Sequence, residues 1–276
     1  MCILRTGNIT GEVILTVHIV KNRLVQICLP LLTLTVGTLW PVNNVPCRFL
    51  IIVSALFLCV SLGIAWYELF KRHKKTAVYT AICFAAVVFS FCIYMSSGKR
   101  CTDENTAHEL RRIYVDELRS FEGTRYVWGG ENLLGIDCSG LPRKALRNAL
   151  LKTAILNGNG RYLRYAVKCW WVDASASALA SGYKHYLTPL EIKGTVADAP
   201  ENKLSPGDLA ITEDGTHVMV FLEKGTWISA DPSQGKVVVE KPFVSRNPWF
   251  NAKVRFFVWS VLLPDNGNWQ VSQNSI

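Results

Sequence analysis

The chain has 276 residues, half of them hydrophobic, with 30 Lys and Arg against 21 Asp and Glu and a formal charge of +9. That length admits one large domain, or a membrane segment plus one ordinary domain. The cationic balance asks for an anionic neighbour such as a membrane surface or an acidic polymer. The lack of an Arg-rich run, a zinc-spaced pair or aromatic–basic interleaving argues against nucleic acid as a partner.

Residues up to about 97 are apolar in blocks. Three segments stand out, from about Leu24 to Val42, from Phe49 to Trp66 and from Ala77 to Met95. Each is near the twenty or so residues that span a bilayer core, and none carries a charge. Trp40, Trp66, Tyr67, Tyr79 and Tyr94 sit near their ends, as interfacial aromatics do. A cleaved signal peptide accounts for only one such segment. The sequence therefore predicts a three-helix anchor over residues 1–97, embedded in the lipid bilayer.

Cations set its orientation. Arg5, Lys21 and Arg23 precede the first segment, and the cluster Lys71-Arg72-His73-Lys74-Lys75 joins the second to the third. The positive-inside rule makes both cytoplasmic. The Asn43–Arg48 loop, with one arginine, is then outside, and three spans starting inside place the chain after Met95 outside as well. Lys99 and Arg100 oppose this but are fewer.

The second domain is predicted over residues 98–265, long enough to bury a core, with a tail at 266–276. Thr102-Asp103-Glu104 opens a helix through Leu118, with Leu110, Ile113, Tyr114 and Leu118 on one face. A glycine-rich loop, Tyr126–Leu141, runs into a helix at Lys144–Leu151 with Pro142 in its first turn. Residues 153–200 look like an insertion containing a helix from Arg161 to Ala180. Strands are expected at Leu209–Ile211, His217–Leu222, Thr226–Ala230, Lys236–Glu240 and Lys253–Leu262. Turns at Ser205–Asp208, Asp214-Gly215 and Lys224-Gly225 separate the first of them. Helices followed by an antiparallel sheet make the class α+β.

Of nine cysteines, Cys28, Cys59, Cys83 and Cys92 lie in apolar stretches and serve as small hydrophobes. No C-x-x-C pair is present to hold a metal or a redox couple. Cys101 and Cys169 are able to pair only in an oxidising compartment. Cys138 differs. With Ser139 it falls where the loop becomes a helix, so free N–H groups and the helix dipole are expected to stabilise a thiolate and lower its pKa. The same N–H groups suit an oxyanion. His217, at a strand start, is the matching general base, in the papain-type order of Cys on a helix and His on a sheet. Asp137 also reads as a simple helix cap.

Four motifs sharpen this: Tyr126-x-Trp128-Gly129-Gly130, Gly135-x-Asp137-Cys138-Ser139-Gly140-Leu141, Pro206-Gly207-Asp208-Leu209 and His217-Val218. In this order they resemble the NlpC/P60 family of cell-wall cysteine peptidases, over roughly residues 105–262. The resemblance implies a papain-like helix-plus-antiparallel-sheet catalytic domain, here preceded by three transmembrane helices. It makes Cys138 the nucleophile and His217 the base, places the Tyr126 hydroxyl beside the sulfur, and puts Asp137, Ser139 and Trp128 at the substrate or oxyanion site. The family's third polar residue, which orients the base, falls on Ser229. A serine is short, whereas Asp231 shares the same strand face and its carboxylate would hold the imidazole tautomer. Both stay open.

The implied substrate is the stem peptide of peptidoglycan, cut between D-glutamate and the diamino acid, with no cofactor or metal and no protein partner specified. The implied location is a bacterial inner membrane, with the enzyme facing the periplasm or exterior. Related amidases and acyltransferases are disfavoured by the Asp-Cys-Ser-Gly-Leu string and by Cys preceding His. A tethered pseudo-enzyme that binds wall peptides or a partner is the non-catalytic alternative.

Overall fold

The computed structural model describes residues 25–98, 103–171 and 174–264. The expectations placed on Arg5, Lys21, Arg23, Lys99, Arg100, Cys101 and the tail lie outside the described residues. The chain divides into two compact units, Met1–Trp40 with Val45–Ala86, and Pro41–Asn44 with Val87–Ile276.

In the first unit, α1 covers Val25–Leu39, α2 covers Val45–Arg72 and α3 begins at Lys74, ending at Ser96 within the second unit. Val45–Glu68 of α2 and all of α3 are long and apolar enough to cross a membrane. Of the three expected spans, two are found among the described residues; α1 is a shorter apolar helix as described from Val25, and the start of that span, at Leu24, lies outside the described residues. The apolar side chains of α2 face outward, with Phe49, Leu50 and Leu56 all exposed, which is not how a buried core helix looks.

The second unit opens its own helices with α4 (Glu104–Arg119). Asp103 caps it, accepting from the Thr106 N–H at 2.7 Å. Its Leu110, Ile113, Tyr114 and Leu118 are buried, as the periodicity required. A short hairpin, β1 (Glu131–Asn132) and β2 (Gly135–Ile136), leads into α5 (Gly140–Leu156), longer at both ends than its apolar pattern suggested. The long helix expected over 161–180 is two pieces, α6 (Gly160–Trp171) and α7 (Ala176–Ala180). Ser175 caps the second through its hydroxyl.

β3 (Leu187–Thr195) was not foreseen; its apolar and polar residues do not alternate cleanly. It pairs with β8 (Lys253–Trp259) around a bulge between Pro189 and Lys193. β4 (Leu209–Thr212), β5 (Val218–Glu223), β6 (Thr226–Asp231) and β7 (Lys236–Glu240) complete an antiparallel sheet of order β3-β8-β4-β5-β6-β7. Strand alternation splits the core in two. Val218, Val220 and Leu222 of β5 and Ile228 and Ala230 of β6 meet α4 and α5. Met219, Phe221 and Trp227 pack on the opposite face with Phe250 and Phe256.

The turn before β4 fixes the sheet against α4. Ser205-Pro206-Gly207-Asp208 closes with the Asp208 N–H donating to the Ser205 carbonyl at 3.0 Å, with Gly207 at φ +93°, as a type II turn requires. Asp208 is buried and pairs with Arg111 of α4 at 3.0 Å. A Cβ at position 207 would sit 2.9 Å from the Tyr114 ring. Gly207→Ala is therefore expected to lower stability by about 1–3 kcal/mol, from positive φ and overpacking together, measured by chemical unfolding. A variant as stable as wild type would show that the turn has slack.

Candidate active site

The residues singled out in the sequence converge on the N-terminal end of α5, the start of β5 and the end of β6. Cys138 and Ser139 precede Gly140, the first residue of α5. The Asp137 carboxylate builds this corner. One oxygen accepts from the Gly129 N–H at 2.8 Å; the other accepts from the Ser139 hydroxyl at 3.0 Å and from the Gly140 N–H at 2.5 Å. Asp137 thus caps α5 and ties the glycine loop to it, with Ser139 turned into the same network. Both side chains are buried. Trp128, in contrast, is 81 % exposed.

The β4–β5 turn presents His217. The Thr212 hydroxyl oxygen accepts from the His217 N–H at 2.9 Å and from the Thr216 N–H at 3.1 Å, while Asp214 holds Thr216 from the other side. Cys138 lies against this turn, its Sγ donating to the Thr216 carbonyl at 3.7 Å and close to the Val218 N–H. The sulfur therefore touches the backbone on both sides of His217. Among the described residues no hydrogen bond joins it to the imidazole, and the His217 Nε2 is buried with no hydrogen-bond partner at all.

The proton balance differs from the expectation drawn from the helix terminus. Burial pushes the Cys138 thiol up to about 12, and the Asp137 carboxylate adds to the rise. The N–H groups of Val218, Ser139 and Cys138 act in the expected direction but do not prevail. Desolvation costs a thiolate more than a helix end returns. Burial likewise brings His217 down from 6.5 to about 4, against the pull of Asp231 and Asp214. At neutral pH the resting pair is thiol and neutral imidazole. Between those two pH values the unfolded chain takes up a proton that the folded site refuses, so His217 lowers stability as pH falls.

Continuing the Val220↔Ile228 register by three residues sets Asp231 across from His217. Its carboxylate acts on the ring through space only, because its oxygens are engaged elsewhere. Oδ1 accepts from the Ser233 N–H and hydroxyl at 2.7 and 2.6 Å, and Oδ2 accepts from Asn247 Nδ2 at 2.7 Å. Ser229 is buried and makes no hydrogen bond to His217. Tyr126 is in the same cluster: burial raises its hydroxyl pKa, and Cys138, Asp137 and Asp231 raise it further.

Two residues not anticipated from sequence support the imidazole. Trp249 stacks on it, with ring centres 4.4 Å apart and planes 16° from parallel. Asn247 holds Trp249 by accepting its backbone N–H at 3.1 Å, and donates to Glu240 at 2.8 Å as well as to Asp231. The Asn247-Pro248 dipeptide is a turn signal, but nothing in the pattern ties it to a histidine thirty residues earlier. Behind Cys138, Glu131 is buried against two arginines of α5, Arg143 at 3.4 Å and Arg147 at 3.2 Å. Burial alone would raise its pKa; the two guanidiniums and a hydrogen bond from Asn43 outweigh it and hold the carboxyl low. Cys169 is a buried free thiol.

A family model described as "NlpC/P60 family" matches residues 123–255. No curated protein matches the chain. Among solved structures, the chain is similar to the peptidoglycan hydrolase RipB from Mycobacterium tuberculosis, at 20 % identity over 56 % of this chain and 67 % of that one, with a TM-score of 0.35. It is similar to the P60 domain of an antigen from M. avium subspecies paratuberculosis, at 20 % identity over 54 % and 95 %, TM-score 0.33. NlpC2 from Trichomonas vaginalis gives 16 % identity over 55 % and 46 %, TM-score 0.36. With the glycine loop, the capped cysteine and the strand-borne histidine all inside the matched span, residues 123–255 of this chain are an NlpC/P60 family domain.

Proposed function

We propose that the protein is a cysteine peptidase that cleaves peptidoglycan stem peptides, at the bond between D-glutamate and the diamino acid. The observation that carries this reading is the placement of a free, capped thiol against the peptide groups flanking a buried histidine whose Nε2 has no partner. A buried polar atom left unpaired costs roughly 1–3 kcal/mol, and such atoms are tolerated where a reaction uses them.

In this mechanism substrate entry draws Sγ from the Thr216 carbonyl toward the imidazole, which takes the proton as sulfur attacks the peptide carbonyl. The N–H groups at the start of α5, and the Tyr126 hydroxyl, receive the negative charge that develops on the carbonyl oxygen. Imidazolium then returns the proton to the leaving amine, and water releases the acyl group from sulfur. Asp231 favours the imidazolium by its field while Trp249 keeps the ring in plane. Asp137 and Ser139 hold the corner, and exposed Trp128 is placed to meet the glycan or peptide.

We also propose that the domain is anchored in a bacterial inner membrane and works outside it. Two apolar helices of spanning length support the anchor. Residues 41–44, before α2, and Tyr94 to Ser97, at the end of α3, are hydrogen-bonded within the unit that holds Cys138. The basic turn at 71–75 lies at the opposite ends of both helices, which agrees with a cytoplasmic turn and an external enzyme.

The full-length protein, purified in detergent, is expected to release peptides from purified wall and Cys138→Ala is not; mass spectrometry of the products reads the bond. Equal release by both proteins, or by neither, overturns the peptidase. Alkylation of Cys138 by iodoacetamide, followed on its own peptide, is expected to accelerate up to about pH 10, since the resting thiol is neutral. A plateau below about pH 7 would mean a pre-formed thiolate–imidazolium pair. Trp249→Ala is expected to cost up to about tenfold in kcat, the equivalent of a stacking energy of about 0.5–1.5 kcal/mol, with Trp249→Phe recovering most of it. An unchanged kcat would remove Trp249 from the mechanism.

A further inference from the structure

The segment joining α1 to α2 lies about ninety residues before the nucleophile loop in sequence, yet it is hydrogen-bonded into that loop. The Asn43 N–H donates to the Gly129 carbonyl at 3.2 Å, the Glu131 N–H donates to the Pro41 carbonyl at 2.8 Å, and Val42 bridges Gly130 in antiparallel fashion. The Asn43 side-chain amide also donates to the buried Glu131 carboxylate. Pro41 packs on the loop so closely that a Cβ added at Gly135 would lie 3.1 Å from the Pro41 Cβ and 2.4 Å from Val127 Cγ2.

Residues 129–131 are thus held from two sides. On one side stand Pro41, Val42 and Asn43. On the other, the Gly129 N–H donates to the Asp137 carboxylate and the Asp137 N–H donates to the Gly130 carbonyl at 3.1 Å. Asp137 is the neighbour of Cys138 and caps the helix that carries it. Glu131 adds a second route to that helix through Arg143 and Arg147. A displacement of Asn43 therefore reaches the helix of Cys138 along two paths, one hydrogen-bonded through Asp137 and one ion-paired through Glu131.

We propose that Pro41–Asn44 is a positioning element of the active site, with Asn43 as its positioning residue, so that this segment, remote in sequence, completes the nucleophile loop. This rests on the reading of Cys138 as the nucleophile. Without the segment, the Gly129 carbonyl and the Glu131 N–H lose their partners and the Glu131 carboxylate loses the Asn43 amide, which leaves the loop braced by Asp137 and by the ion pairs of Glu131. Errors near 1 Å in a reacting group are enough to lower rates by about two orders of magnitude.

The test uses full-length protein in lipid nanodiscs and compares wild type, Asn43→Ala and Asn43→Gln. Four quantities are read: the rate of Cys138 alkylation on its own peptide, kcat and KM on solubilised wall fragments, and the unfolding temperature. Asn43→Ala is expected to change the alkylation rate at least about threefold and to lower kcat about tenfold or more with KM nearly constant. Asn43→Gln, whose amide is able to reach Glu131, is expected to recover part of both. A purely structural role would lower the unfolding temperature and leave the folded protein's alkylation rate and kcat as they were; that result overturns the proposal. If wild type itself fails to cleave the wall, the peptidase reading falls, and the alkylation comparison still decides whether the segment positions the thiol. If Asn43→Ala does not fold, Asn43→Ser takes its place: an alkylation rate and a kcat both unchanged from wild type overturn the proposal, and a shift in either supports it.

Discussion

One carboxylate organises this candidate site. Asp137 binds the glycine loop with one oxygen and the first turn of α5 with the other, and its N–H returns to the same loop. Charge-assisted bonds of this kind are roughly twice as strong as neutral ones, and they fix the thiol at the point where helix, loop and sheet meet. The same charge opposes ionisation of the sulfur beside it. Geometry and electrostatics therefore make opposite demands on one residue. The structure meets the geometric demand and leaves the thiol neutral at rest.

A neutral thiol beside a neutral imidazole has a definite meaning for reactivity. A buried protonated sulfur reacts slowly with oxidants, because the thiolate is the nucleophilic form. Ionisation is then tied to events that change the surroundings of the sulfur. Around the imidazole, the direct orienting hydrogen bond expected of a third residue is replaced by distributed support: the field of Asp231, the face of Trp249, and the Asn247 amide that links Asp231 to the Trp249 backbone.

Much of this was legible in the sequence, for identifiable reasons. The burial of Leu110, Ile113, Tyr114 and Leu118 followed from helical spacing, β5 from an unbroken apolar run, and the hairpin at Lys224-Gly225 from its turn chemistry, both residues having positive φ. The position of Cys138 at a helix start followed from the glycine loop and Pro142. What escaped was non-local or lacked a period. β3 carries Pro189, Gly194 and a bulge, so its alternation is broken. Trp249 meets His217, and Asn247 meets Asp231, only in the folded chain. The low thiol pKa inferred from the helix end was wrong because the sequence displays the dipole but not the depth of burial. Of the three-span anchor, two helices of spanning length lie among the described residues, and the first expected span begins outside them.

The unpartnered nitrogen of His217 has a cost beyond chemistry. A side chain without polar atoms, matched in volume, would fit that hollow between Trp249 and the sheet more comfortably than an imidazole does. At position 217, therefore, durability and reactivity pull apart, and selection for heat resistance alone would be expected to drift away from histidine. Retaining it marks a place where the fold accepts a thermodynamic penalty that no packing argument rewards.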